Sequence, residues 1–306
     1  MIIAVFPGQG SQTPGFLSPW LELDGARERL EAFSEQAGVD LVAAGTEWDA
    51  DQIRDTAVAQ PLIVAASLLS WTALNDRATT SVAGVAGHSV GEIAALAASG
   101  VLSDQDALRL VGLRGRAMAE AAATVETGMS AVVGGDETVV LERLEALALT
   151  PANYNGGGQI VAAGELSALA ELAAEAPRGT RVIPLQVAGA FHTRFMEPAV
   201  ETLRAAAADV QVGDPATTLW TNSDGSVVTE GRRALDLVVA QVSSPVRWDR
   251  CMASFGERGV TGIIELSPAG ALTGLAKRAL RGTPTVAVKS PDDLDAAVSL
   301  LKEDQA

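Results

Sequence analysis

The stretch "GVAGHSVGE" (residues 84–92) runs from an apolar segment into a serine with glycine two places before it and two places after it. "SVAGVAG" (81–87) reads as a buried strand, and "VGEIAALAASG" (90–100) as a helix ending at Gly100. Strand, Gly-His-Ser-Val-Gly, helix is the setting of a nucleophile elbow. So tight a turn admits only glycine two residues either side of the serine. It lifts the Ser89 hydroxyl out at the carboxyl edge of a sheet, beside helix N–H groups that can stabilise an oxyanion. The bland alternative is a glycine-rich turn with an idle serine, and the flanking strand and helix favour the nucleophile.

A serine hydroxyl is a poor nucleophile until a base takes its proton. The chain has two histidines. His88 is the serine's neighbour, and an elbow turns its side chain away. His192, in "AGAFHTRFM" (188–196), is therefore the expected base. The acids between serine and histidine include Asp104, Asp106, Asp136 and Glu165, and none sits in an obvious strand-end turn. A backbone carbonyl can fix the histidine tautomer instead. Residues 103–122 open with a serine N-cap and early acids, and read as a helix with Ala107, Leu110, Val111, Ala117, Met118 and Ala121 on one stripe. Arg114 falls on that stripe. A core-facing arginine needs an anion: either an internal carboxylate or an anionic substrate gripped by its planar fork. The upstream elbow favours the substrate.

Working outward, "IIAVF" (2–6) is a short buried strand closed by "PGQGSQTPG", and residues 58–75 have helical periodicity. Strand and helix alternate, which predicts a parallel sheet covered on both faces. The rhythm changes in the middle. "MSAVVG" (129–134), a helix over 136–148, "ANYN" (152–155), "QIVAAG" (159–164), a helix over 165–176 and "RVIPLQV" (181–187) give β-α-β-β-α-β, the split βαβ or ferredoxin-like plan. The expected organisation is a large α/β-hydrolase-like domain over 1–124 and 189–306, with a small ferredoxin-like subdomain inserted at 125–188. After the insertion, helices are expected at 195–208, 231–242, 247–258, 270–280 and 291–302, and strands at 217–221, 260–266 and 283–288.

Composition excludes other readings. The 306 residues carry a formal net charge of −16, so no nucleic-acid partner is expected. No apolar run approaches the roughly 18 residues of a membrane span, and no membrane association is expected. The N-terminus reads as a strand and not a signal peptide, and a single cysteine, Cys251, excludes an intrachain disulfide, so a cytoplasmic location is expected. "GQGSQTPG" lacks the third glycine of a dinucleotide fingerprint, and no Gly-Lys pair exists for a phosphate loop. Two histidines and one cysteine make no usual zinc site, so no metal is expected. Between Val246 and Lys289 seven basic residues face three acidic ones, a local +4. This is either helix surface or a docking patch for an acidic partner, with Lys277, Arg278 and Arg281 its candidates.

"FPGQGSQ" (6–12), "AQPLI" (59–63), "GHSVGE" (87–92), "LRGRAM" (113–118), "AFHT" (190–193), "QVSSPVRW" (241–248) and "ELSPAGALTGL" (265–275) occur in one order along the chain. Together with the elbow, the distant histidine and the inserted subdomain they resemble the malonyl-CoA:acyl carrier protein transacylase family over essentially the whole chain. Residues 20–55 look shorter and less like the family. The resemblance implies ping-pong transfer of a malonyl group from malonyl-CoA to the thiol of acyl carrier protein, in fatty-acid or polyketide biosynthesis. It implies acylation of Ser89, proton transfer by His192, and a malonyl carboxylate held by Arg114. It implies an oxyanion hole from the N–H groups of Gln9 and Val90, and His192 oriented by the backbone carbonyl of Gln241. Gln60 and Phe191, with Met118, would line the pocket, and "AFH" would go with malonyl over methylmalonyl units. No cofactor beyond the substrate malonyl-CoA is implied, and a monomer is expected. A serine hydrolase or thioesterase, or a scaffold that only binds carrier proteins, are the rival readings.

Overall fold

The computed structural model describes residues 1–303. In chain order its strands and α-helices are β1 (Ile2–Phe6), α1 (Ala26–Ala37), α2 (Leu41–Thr46), α3 (Thr56–Arg77), β2 (Gly84–Gly87), α4 (Gly91–Ala98), α5 (Asp104–Ala122), β3 (Thr127–Gly134), α6 (Glu137–Ala146), β4 (Thr150–Gly156), β5 (Gln159–Glu165), α7 (Leu166–Ala174), β6 (Thr180–Pro184), α8 (Glu197–Ala208), β7 (Thr218–Trp220), β8 (Val227–Val228), α9 (Gly231–Gln241), α10 (Trp248–Glu257), β9 (Gly262–Glu265), α11 (Ala271–Ala279), β10 (Thr285–Ala287) and α12 (Leu294–Glu303).

The larger sheet has the order β10-β9-β1-β2-β7-β8. Its pairings are parallel except that β8 turns back antiparallel on β7. The two-residue β8 was not expected from the sequence, because so short an edge strand has no period to read. β1 is apolar at every position because both of its faces are covered. Ala4 and Phe6 enter the larger core, shared with α3, α4 and α5. Ile3 and Val5 enter a second core with Trp248, Phe255, Leu272 and Leu275 of α10 and α11. The smaller sheet is antiparallel in the order β4-β5-β3-β6. This is the strand order of a split βαβ unit. Val132 and Ile160 on one face pack on Val140, Leu144, Leu169 and Leu172 of α6 and α7. Met129, Val161 and Ala163 on the other face join the larger core. β6 ends at Pro184, three residues short of the expected strand. The chain turns there, with the Val187 N–H bonded to the Leu185 carbonyl at 3.0 Å.

By length and composition alone α3 could cross a membrane, a feature missed by looking for an uninterrupted apolar run. Here 72% of its apolar window is buried inside the protein, so it is a core helix of this fold. Residues 20–55 form α1, α2 and short 3-10 turns. They brace the β1 turn, because the Gln9 and Gln12 side-chain amides donate to the carbonyls of Arg54 and Ile53 at 3.3 and 3.2 Å.

The glycines of the elbow are required by space. A Cβ on Gly87 would lie 2.0 Å from the carbonyl carbon of Gly91, and one on Gly91 would lie 2.2 Å from the carbonyl oxygen of Phe6. Both contacts are with backbone, which cannot yield as a flexible side chain does. Gly91→Ala is expected to destabilise the fold by about 3 kcal/mol. Gly274, inside α11, has nothing within 4 Å of such a Cβ. Gly274→Ala is expected to stabilise by about 0.5–1 kcal/mol through helix propensity. Urea midpoints of the two variants check the pair, and similar shifts in both would contradict the packing argument.

Candidate active site

The β2–α4 turn holds Ser89 at φ +54°, and the loop before α8 holds His192 at φ +62°. Both are left-handed conformations that non-glycine residues rarely adopt, so each must be held by its surroundings. The Asn222 amide spans the elbow. Its Oδ1 accepts the Ser89 N–H at 2.8 Å, and its Nδ2 donates to the Gly87 carbonyl at 2.7 Å. The His192 N–H donates to the Val242 carbonyl at 3.2 Å.

Ser89 Oγ lies 2.7 Å from His192 Nε2, and His192 Nδ1 lies 2.8 Å from the backbone oxygen of Gln241. A carbonyl only accepts, so Nδ1 carries the hydrogen and Nε2 is left to accept from the serine hydroxyl. Burial, reinforced by the charge of Arg114, pushes the His192 pKa down to about 3. The imidazole is therefore neutral at neutral pH. His88 has other partners than Ser89: its Nε2 lies 2.8 Å from Asn155 Oδ1, and its ring meets that of Trp248 edge-on at 5.7 Å.

Arg114 is 1% exposed. Its Nη1 donates to Gln60 Oε1 at 2.6 Å and its Nη2 to Gln241 Oε1 at 3.4 Å, while Nε has no partner. Among the described residues no carboxylate stands within 4.0 Å of it. Glu92 is the acid whose charge acts on it, through the intervening Gln241 side chain. Burial lowers the Arg114 pKa to about 10, which still leaves a cation at neutral pH. The internal carboxylate considered for Arg114 is thus a neighbour at one remove and not an ion-pair partner. Burial pushes the Glu92 carboxyl up to about 8, against the pull of the Asn222 N–H, the Thr221 side chain and Arg114.

A cavity of about 170 Å³ opens on these groups. Gln9, Gln60, Ser89, Val90, Met118, Phe191 and His192, all expected from the sequence, line it. Arg114 does not; its partner Gln60 and its helix neighbour Met118 do, joined by a 3.4 Å Gln60 Nε2–Met118 Sδ contact. The backbone N–H groups of Gln9 and Val90 make no hydrogen bond to another described residue. Gln241 sits behind His192 as expected. His88 lines it too; Met129, Asn153, Asn155, Val161, Leu185 and Val187 complete the wall and were not foreseen. They come from the smaller sheet and the turn after it, which no local motif aims at Ser89. Glu92 and Asn222 were also missed. Glu92 did leave a signal, since an acid inside the apolar helix "VGEIAALAA" is as out of place as Arg114 in its own helix. Lys277, Arg278 and Arg281 are exposed and lie off the cavity. Arg247 is paired bidentately with Asp249 and stacks over Tyr154 at 4.3 Å, so the basic stretch is partly neutralised.

A family model described as "Acyl transferase domain" matches residues 3–305. The malonyl CoA-acyl carrier protein transacylase of Mycobacterium tuberculosis is 55% identical over 304 residues, covering 98% of this chain and all of that protein. The crystal structure of MCAT from Mycobacterium tuberculosis superposes with a TM-score of 0.94 at 55% identity, over 97% of this chain and 100% of that one. A malonyl-transacylase solved in complex with its type II PKS acyl-carrier protein superposes at 0.93 with 30% identity, over 98% and 99% of the two chains.

Proposed function

Because the chain belongs to the malonyl CoA-acyl carrier protein transacylases within the acyl transferase domain family, we propose that it moves malonyl groups from malonyl-CoA to the phosphopantetheine thiol of acyl carrier protein. The product serves fatty-acid or polyketide synthesis. The observation that carries this reading is the 2.7 Å Ser89–His192 contact on a cavity beside a buried arginine that no carboxylate pairs.

In this reading Ser89 Oγ gives its proton to His192 Nε2 and attacks the thioester carbonyl of malonyl-CoA. The oxyanion takes hydrogen bonds from the N–H groups of Gln9 and Val90. The intermediate collapses, and CoA leaves as the thiol with the proton from Nε2. The carrier's thiol then gives its proton to Nε2 and attacks the malonyl-serine ester, and Ser89 leaves with that proton. Through both halves the Gln241 carbonyl keeps the imidazole in one tautomer. Arg114 binds the distal carboxylate once the Gln60 amide oxygen, which holds Nη1, gives way. The domain boundaries at 125 and 188 and a cytoplasmic location accord with this reading. No step calls for a cofactor.

Incubating the protein with malonyl-CoA, with and without carrier, tests the assignment. The expected results are a serine ester about 86 Da heavier and transfer to carrier. Free malonate in place of transfer would indicate a hydrolase, and no ester would indicate a scaffold. A depressed base pKa has a sign: His192 stays neutral until the pH falls toward 3. With acetyl-CoA, which does not use the carboxylate clamp, the acid limb of serine acylation is therefore expected well below 6.5, with a change of less than about twofold between pH 5.5 and 7.5. Quenched-flow acylation against pH checks it, and a limb centred on 6.5 would refute it. Charge reversal at Lys277 and Arg278 together is expected to weaken the apparent affinity for the acidic carrier about tenfold at low salt, leaving serine acylation intact.

A further inference from the structure

The first turn of α4 is buried and otherwise apolar or glycine, yet position 92 carries a carboxylate that is 3% exposed. Its Oε1 accepts from the Asn222 backbone N–H at 2.8 Å, and its Oε2 accepts from Gln241 Nε2. Gln241 Nε2 also reaches Asn222 Oδ1 at 3.1 Å. Glu92, Asn222 and Gln241 thus close a buried ring of hydrogen bonds. Three contacts lead out of it. Asn222 Oδ1 takes the Ser89 N–H, the Gln241 backbone oxygen takes His192 Nδ1–H, and Gln241 Oε1 takes Arg114 Nη2–H.

A glutamine amide has a donor end and an acceptor end, and nothing within the side chain selects which way it points. Reversed, Gln241 would set its NH2 against the guanidinium, donor against donor. Above its titration at about 8 the Glu92 carboxyl on the far side is ionised and only accepts, so it fixes the sense. We propose that Glu92 is a positioning residue for malonyl selectivity: its carboxylate turns the Gln241 oxygen toward Arg114 and so holds the guanidinium ready for a carboxylate-bearing acyl group. The inference rests on Arg114 being the malonyl clamp. The interposed amide also matters electrostatically. A direct Glu92–Arg114 pair would seat an internal carboxylate where the substrate's must go. With Gln241 between them the anion stays near the buried cation, and Arg114 Nε keeps no protein partner.

Rates of Ser89 ester formation from malonyl-CoA and from acetyl-CoA, measured by quenched-flow mass spectrometry at about pH 8.5, above the Glu92 titration, test this. In E92Q the one side-chain acceptor goes to the Asn222 backbone N–H, which cannot turn, leaving an NH2 against Gln241 Nε2; the malonyl-to-acetyl rate ratio is expected to fall by about 10-fold or more. E92D, which keeps the acceptor, is expected to stay within about threefold of the natural ratio. Q241M keeps the backbone carbonyl that holds His192 but removes the amide; it should lose the same ratio, and E92Q added to Q241M should lower it no further. If E92Q slows both substrates equally while its thermal midpoint falls, Glu92 is merely structural and the proposal is overturned. If E92Q does not fold, Q241M decides alone, and an unchanged ratio there overturns it. Natural protein that forms no malonyl ester, or forms the acetyl ester as fast, would instead sink the proposed function.

Discussion

Ser89→Ala and His192→Ala are each expected to slow malonyl transfer by about 10⁴-fold, and the double variant no further. The effect corresponds to roughly 5 kcal/mol of barrier. Without the hydroxyl no ester can form. Without the imidazole, which stands 2.7 Å away, the hydroxyl has no base and keeps its proton. Because the two act as one unit, removing the second member after the first costs little, and the measured effects will not add. Steady-state transfer to carrier, together with the mass of the intact protein after malonyl-CoA, reads both. His192→Ala protein that still accumulates the malonyl ester at near-natural speed would require another base. His88 is a poor one, since its Nε2 is committed to Asn155 and its ring to Trp248.

Arg114→Ala is expected to lower malonyl acylation about 100- to 1,000-fold while acetyl acylation falls less than about tenfold. Two separate losses combine for malonyl. The carboxylate loses a charge-assisted bidentate partner, and it must enter a site that buries it beside Gln60 and Gln241 with no cation left. Acetyl has no carboxylate to strand. Arg114→Lys is expected to lie between, since an ammonium restores the charge but not the fork. The same substitution to alanine carries a second readout. Arg114 helps to depress the His192 pKa, so its removal should raise that pKa and move the acid limb of acetyl acylation upward. Equal loss of both substrates, with an unmoved limb, would remove Arg114 from the clamp.

The fold and the residues gathered at the candidate site were legible because each rests on local rules. A glycine two residues either side of Ser89 is forced because a Cβ there would come within 2.0 and 2.2 Å of backbone atoms, and that spacing survives in sequence as a pattern. Arg114 was visible as a charge on an apolar stripe. His192 emerged by elimination from two candidates. What escaped has a common cause: it depends on where distant strands come to rest. The wall residues Met129 and Val161 lie on a sheet that is covered on both faces, and its strands do not say what each face meets. Asn222, a polar residue just past a three-residue strand, gives no sign that it pins the elbow. The approach of β8 to β7 and the early end of β6 are decided by pairing and by a turn, not by propensity. The membrane-length character of α3 shows the same limit from the other side, because composition alone does not reveal what surrounds a helix.

Ser89 hangs from β2 of the larger sheet, Met129 and Val161 close the cavity from β3 and β5 of the smaller one, and His192 sits with Leu185 and Val187 on the loop that runs from β6 to α8. The elbow and one wall of the acyl chamber thus belong to different sheets. A bulkier side chain at Met129 or Val161 would narrow the chamber from the β3–β5 side and leave the backbone contacts that shape the elbow in place.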